Sequence, residues 1–102
     1  MVLSADSFEL VPRAPDVLAL LGGDRRFKLE LPASQLEILT PPLCDVVEAT
    51  AALREARHAL AGCTGGVVRF AGAGVHPFSA GVGELNRLPR YERMIRASYP
   101  RR

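Results

Sequence analysis

The run Asp45–Ala61, DVVEATAALREARHALA, constrains the fold more than any other stretch of the chain. Asp45 and Glu48 stand at capping-box spacing, where each side chain answers a backbone N–H that the first helical turn leaves free. Val46, Ala49, Leu53, Ala56 and Leu60 recur at steps of three and four, so they fall on one side of a helix. Arg54, Glu55, Arg57 and His58 fall on the other side, where His58 is expected to be solvated, and Gly62 is a fitting stop. A helix with a single apolar stripe has to bury it against another layer. The rest of the sequence supplies strands for that layer.

Phe27, Leu29 and Leu31 alternate with Lys28 and Glu30, the period of a half-buried strand. Past Pro32-Ala33 the alternation resumes, with Leu36 and Ile38 on one face and Gln35, Glu37 and Leu39 on the other, until Thr40-Pro41-Pro42 ends it. Met1 to Leu10 reads as a strand, a turn at Ala5-Asp6-Ser7 and a second short strand. Pro15, Asp16 and the apolar Val17, Leu18 and Leu21 predict a helix that Gly22-Gly23 stop. Val67–Ala73 reads as a strand that turns glycine-rich, and a last helix is expected from near Pro89 toward Tyr99-Pro100. The order β-β-α-β-α-β-α predicts one α+β domain, a mainly antiparallel sheet with packed helices.

A chain of 102 residues has room for one modest core and little room for a deep two-substrate cleft as well. With 48% hydrophobic and 24% charged residues the composition is globular. A net charge of +2 is too small to argue for nucleic acid. Arg87, Arg90, Arg93, Arg96, Arg101 and Arg102 gather near the end without interleaved aromatic residues, so a solvated helix face is expected there. The apolar runs are too short and interrupted to span a bilayer, so no membrane contact is expected. Met1-Val2-Leu3-Ser4 lacks the basic flank and apolar core of a signal peptide, and a cytoplasmic protein is expected. Cys44 and Cys63 show no CxxC spacing and are expected as small core residues in a reducing compartment.

The candidates for chemistry are Glu30, Glu37, His76 and Arg90. Glu37 sits in mid-strand between apolar neighbours, so it faces solvent or a polar cleft. Hard cations such as magnesium take carboxylate oxygens and also bridge to phosphates. Pro32 interrupts the chain between Glu30 and Glu37, so strand parity leaves open whether they converge or line a solvated face. His76 follows Gly72 and Gly74, residues that permit close backbone approach or positive φ. Such a histidine serves as a metal ligand or phosphate donor, or is simply satisfied by backbone. Arg90 offers a fork suited to carboxylate or phosphate, beside a Tyr91 expected to anchor the helix by packing. The Gly72–Gly74 run is not a dinucleotide or Walker loop, and no nucleophile elbow is present.

Taken together, FELVPRAPDVLALLGG, KLELPASQLEILTPPLCDVVEATAALREARHAL and AGAGVHPFSAGVGELNRLPRYERM resemble the N-terminal part of the carboxylate–amine ligases of the glutamate–cysteine ligase type 2 family. The most diagnostic pieces are SQLEILTPP, the GVHPF around His76 and the PRY of Pro89, Arg90 and Tyr91. The resemblance implies part of a glutamine synthetase-like catalytic fold, in which antiparallel strands curve around a funnel holding magnesium and ATP. It implies activation of a glutamate γ-carboxylate as an acyl phosphate and attack by an amine, cysteine in the type reaction. By position, Glu37 and Glu30 correspond to metal-binding acids, His76 to a histidine near the metal and the nucleotide phosphates, and Arg90 to a catalytic arginine.

Members of that family begin with a strand bearing an E-x-E acidic pair and continue well beyond the length of this chain. The expectation is therefore a partial domain, residues 1–102, lacking that first acidic strand and the C-terminal remainder. Such a piece is expected to bind ATP and magnesium weakly or not at all, and to be inactive alone. It is also expected to self-associate as a homo-oligomer or to pair with a complementing C-terminal fragment. The competing expectation is a non-catalytic binding or assembly module that keeps the ligase N-terminal fold.

Overall fold

The structure, a computed structural model, describes residues 1–81 and 83–98. Its elements in order are β1 (Val2–Ser4), α1 (Ala14–Leu20), β2 (Phe27–Leu29), β3 (Leu36–Ile38), α2 (Val46–Thr64), β4 (Val68–Phe70) and α3 (Pro89–Ser98). The α+β expectation holds and every strand pairing is antiparallel, β1 with β4 and β2 with β3. The pairs form two separate two-stranded sheets, where the sequence suggested one. Val2 N–H donates to the Ser34 carbonyl at 2.7 Å and joins them at one point.

The second opening strand shrinks to a single bridge between Leu3 and Leu10. The Ser4 hydroxyl accepts from the N–H groups of Asp6 and Ser7, and the Ser4 carbonyl accepts from Phe8 N–H at 3.1 Å. These bonds make a tight turn that spends the residues a longer strand would need. The turn holds Phe8 at φ 59°, a left-handed conformation in which Cβ crowds the following carbonyl.

Helix α2 starts as the sequence predicts. The Asp45 carboxylate accepts from Glu48 N–H at 2.9 Å, and the Glu48 carboxylate accepts from Cys44 N–H at 3.0 Å, one residue ahead of the cap. The helix passes Gly62 and ends at Thr64, because the left-handed residue that terminates it is Gly65, at φ 57°. Its apolar stripe is only half covered. Ala56 and Leu60 are buried beside Val2, Ala14, Val17, Phe27 and Val68, whereas Leu53 is 44% exposed and Val46 80% exposed. Helix α1 and strand β4 pack on α2, and its first turns extend past them. Burying a side chain the size of Leu60 contributes about 1.5–3 kcal/mol, so most of α2's anchoring lies in its second half.

Cys63 is half-buried against that core, but Cys44 precedes the helix on its open side and is exposed, against expectation. His58 is exposed, as expected. In α3 the one buried residue is Tyr91, while Arg87, Arg93 and Arg96 are solvated. The expected helix end at Tyr99-Pro100, with Arg101 and Arg102, lies outside the described residues. Among the described residues no helix is long and apolar enough to cross a membrane.

Candidate functional site

Strand register settles the relation of the two glutamates. Lys28 stands opposite Glu37 and Leu29 opposite Leu36, and Glu30 N–H extends the ladder to the Gln35 carbonyl at 3.4 Å. Directly opposed residues of an antiparallel pair share a face, and faces alternate along each strand. Lys28 and Glu37 therefore share a face, and Glu30, opposite Gln35, returns to it. Pro32 does not disturb this parity. It sits in the turn between the strands, which Gln35 N–H closes onto the Pro32 carbonyl at 3.0 Å. Glu37 is exposed; Glu30 is half-buried, and one of its carboxylate oxygens accepts from Leu31 N–H at 2.8 Å.

Helix α3 brings Arg90 to the same place. The Tyr91 ring is 1% exposed, and its hydroxyl donates to the Leu29 carbonyl at 2.8 Å, which pins α3 to β2. That hydroxyl also accepts a hydrogen bond from Arg90 Nη2, while the Arg90 guanidinium lies 4.4 Å from the centre of the Tyr91 ring. The bond to Tyr91 raises the Arg90 pKa above its ordinary value, and the nearby charges of Glu30 and Glu37 raise it further. Among the described residues neither carboxylate stands within salt-bridge distance of the guanidinium, so their influence is one of longer range. Tyr91 thus sets Arg90 at the corner where α3 meets β2, the strand that runs into Glu30.

Asn86 completes that corner, and sequence reasoning missed it. The side chain is buried and donates to the Glu30 carbonyl at 2.6 Å, while its own N–H donates to the Leu31 carbonyl at 2.8 Å. Ala33 N–H, donating to the Glu84 carbonyl at 2.8 Å, ties the same segment to the hairpin turn. An asparagine shortly before a helix reads as a capping candidate, so its sequence context points away from this role. The Tyr91 hydroxyl was also missed, since only packing was expected of that side chain.

His76 is placed elsewhere. Its Nδ1 accepts from Phe78 N–H at 3.2 Å, so Nε2 carries the proton and donates to the Phe8 carbonyl at 2.8 Å. Both ring nitrogens are engaged, which leaves no lone pair free for a cation. Among the described residues no group of three histidine, cysteine, aspartate or glutamate side chains stands close enough to hold a metal ion. Glu30 and Glu37 thus share the β2–β3 face, Arg90 is held by Tyr91 where α3 meets β2, and His76 is bonded to Phe8 and Phe78. Gly72 and Gly74 do not have positive φ, and a Cβ on either would meet no atom within 4 Å. The expected close backbone approach at these glycines is absent.

Two carboxylates beside a guanidinium can present oxygen donors to a hard cation and a fork to a carboxylate or phosphate at once. Neither the curated proteins nor the solved structures searched contain a match to this chain. Against protein-family models, residues 3–101 match glutamate–cysteine ligase family 2. A match across nearly the whole chain means that this protein belongs to the glutamate–cysteine ligase family 2.

Proposed function

We propose that the chain supplies one wall of an ATP-dependent carboxylate–amine ligase site. The site would ligate a glutamate γ-carboxylate to an amine such as cysteine, within a glutamine synthetase-like funnel. The observation that supports this reading is that Glu30 and Glu37 share the β2–β3 face, with Arg90 held beside β2 through Tyr91, in a chain from that family. Glu30 and Glu37 suit magnesium in kind, being hard oxygen donors, and would hold it. Bound there, magnesium would neutralise phosphate charge during acyl phosphate formation. Arg90, kept charged and held by the Tyr91 hydroxyl, would bind an anionic oxygen of glutamate or of the transferring phosphate.

His76 suits a phosphate better than a metal. Its Nε2–H already donates to an oxygen, that of Phe8, and would donate equally to a phosphate oxygen. Binding a metal would instead require the Nδ1 lone pair that Phe78 N–H occupies. Two carboxylates are few for chemistry that needs several around its cations. The chain alone is therefore expected to be inactive.

Manganese titration tests the assignment directly. Paramagnetic Mn2+ should broaden the amide signals of residues 28–37 and the side-chain signal of Arg90, and Glu37→Gln should remove most of that broadening. Broadening centred elsewhere, or unchanged in the variant, would sink the metal assignment. In a second measurement the chain alone should release no ADP from ATP in the presence of glutamate and cysteine. Adding the remaining strands of a family ligase should restore release, and Glu37→Gln should abolish the restored activity. A second reading, a non-catalytic assembly module, is favoured by the exposed Val46, Val47, Leu53 and Phe78.

A further inference from the structure

Lys28 is a cation that the β2–β3 hairpin leaves unanswered. Arg26, two residues before it, is gripped by the Asp24 carboxylate at 2.7 Å. Lys28 has no carboxylate within salt-bridge distance among the described residues, although it stands directly opposite Glu37 and two positions before Glu30. The other face of the hairpin carries Phe27, Leu29, Leu36 and Ile38, which belong to the core or pack against it. Lys28 and Glu37 therefore lie on the outer face, and both are exposed.

Ladder bonds run through Glu30 with Gln35 and through Arg26 with Leu39, so Lys28 and Glu37 between them form a hydrogen-bonded pair. The Cα atoms of such a pair lie about 5.5 Å apart, which puts either glutamate within reach of a lysine side chain. The sign of this third charge decides what the face can take. A bare divalent cation held by Glu30 and Glu37 is repelled by the ammonium beside it. A cation that arrives with a polyphosphate meets a different balance: the carboxylates take the metal and the ammonium takes a phosphate oxygen. Lysine serves phosphate as a mobile point charge with three donors, so the exposed stem of Lys28 suits that contact.

We propose that Lys28 makes this face selective for a metal–polyphosphate complex over the bare cation, by binding a phosphate oxygen of the complex while Glu30 and Glu37 hold its metal. Resting on the reading of the two glutamates as metal donors, this role adds an order of binding: metal and polyphosphate arrive together. A lysine that merely partnered Glu37 across the ladder would compete with both forms of the metal alike.

The probes are Mn2+ alone and Mn2+ with equimolar inorganic tripolyphosphate, at fixed ionic strength, read as broadening of the amide signals of residues 28–37. The unaltered chain should bind the complex more tightly than the bare ion. Lys28→Gln should move the two probes in opposite directions: bare Mn2+ gains about two- to fivefold and the complex loses about as much, the worth of one exposed charge pair. Lys28→Arg, which keeps the charge, should keep the original order. Lys28 is exposed, so both variants keep the fold, which circular dichroism checks. If Lys28→Gln moves both probes in the same direction, or moves neither, the lysine does not read phosphate and this proposal alone is overturned. If neither probe broadens residues 28–37 in the unaltered chain, the metal reading of Glu30 and Glu37 fails and takes the role of Lys28 with it.

Discussion

The corner around Arg90 and the loop around His76 are made of similar residue types and held in different ways. At the corner, a buried tyrosine, a buried asparagine and a two-stranded ladder fix the backbone that carries Glu30, Glu37 and Arg90. At the loop, one imidazole spans the Phe8 carbonyl and the Phe78 N–H, with Phe78 88% exposed beside it. Side-chain hydrogen bonds on their own hold a position only as firmly as water permits. The same bonds around a buried ring hold it more firmly, because breaking them strands polar groups away from solvent. The corner is held by buried groups and the loop by exposed ones.

Four substitutions can break or sharpen that contrast. Tyr91→Ala removes the ring and both hydroxyl bonds and should cost about 3–5 kcal/mol in urea unfolding. Amides of α3 should also lose exchange protection; a cost below about 1 kcal/mol would mean that the tyrosine does not hold the corner. Asn86→Ala leaves the Glu30 carbonyl without its side-chain donor and should cost about 1–3 kcal/mol, read by the same melt. Tyr91→Phe keeps the ring and should cost about 0.5–1.5 kcal/mol. Its diagnostic effect is a loosened Arg90 guanidinium, seen as faster relaxation of its side-chain signal. His76→Ala, at a half-buried surface position, should cost about 0.5 kcal/mol or less. A loss as large as that of Tyr91→Ala would erase the distinction between the two regions.

Local signals in the sequence were legible where one element decides them. The Asp45 cap, the strand alternation on either side of Pro32 and the glycine stop after α1 all appear as expected. Features that depend on reach were not legible. Periodicity places Leu53 and Leu60 on one stripe, but it carries no information on where the covering layer ends, so Leu53 stands 44% exposed and Leu60 4% exposed. Gly62 and Gly65 are both plausible stops, and only the φ of Gly65 distinguishes them. Parity between Glu30 and Glu37 was ambiguous because the number of residues in the turn at Pro32 sets it. The roles of Asn86 and the Tyr91 hydroxyl depend on carbonyls more than fifty positions away, at Glu30 and Leu29.

The left-handed Phe8 has a consequence in time. Such a conformation costs a non-glycine residue about 1–2 kcal/mol, so the opening turn is unfavourable by itself. Local bonds to Ser4 offset part of this, and contacts from afar add to them: the His76 ring on the Phe8 carbonyl, 68 residues downstream, and the Arg69 guanidinium 5.7 Å from the Phe8 ring centre. The turn at Phe8 is therefore expected to set only once β4 and the loop beyond it are in place. Phe8→Gly would release this dependence. The turn should then form early in refolding, ahead of β4, and simultaneous protection of both in pulsed exchange would contradict that order.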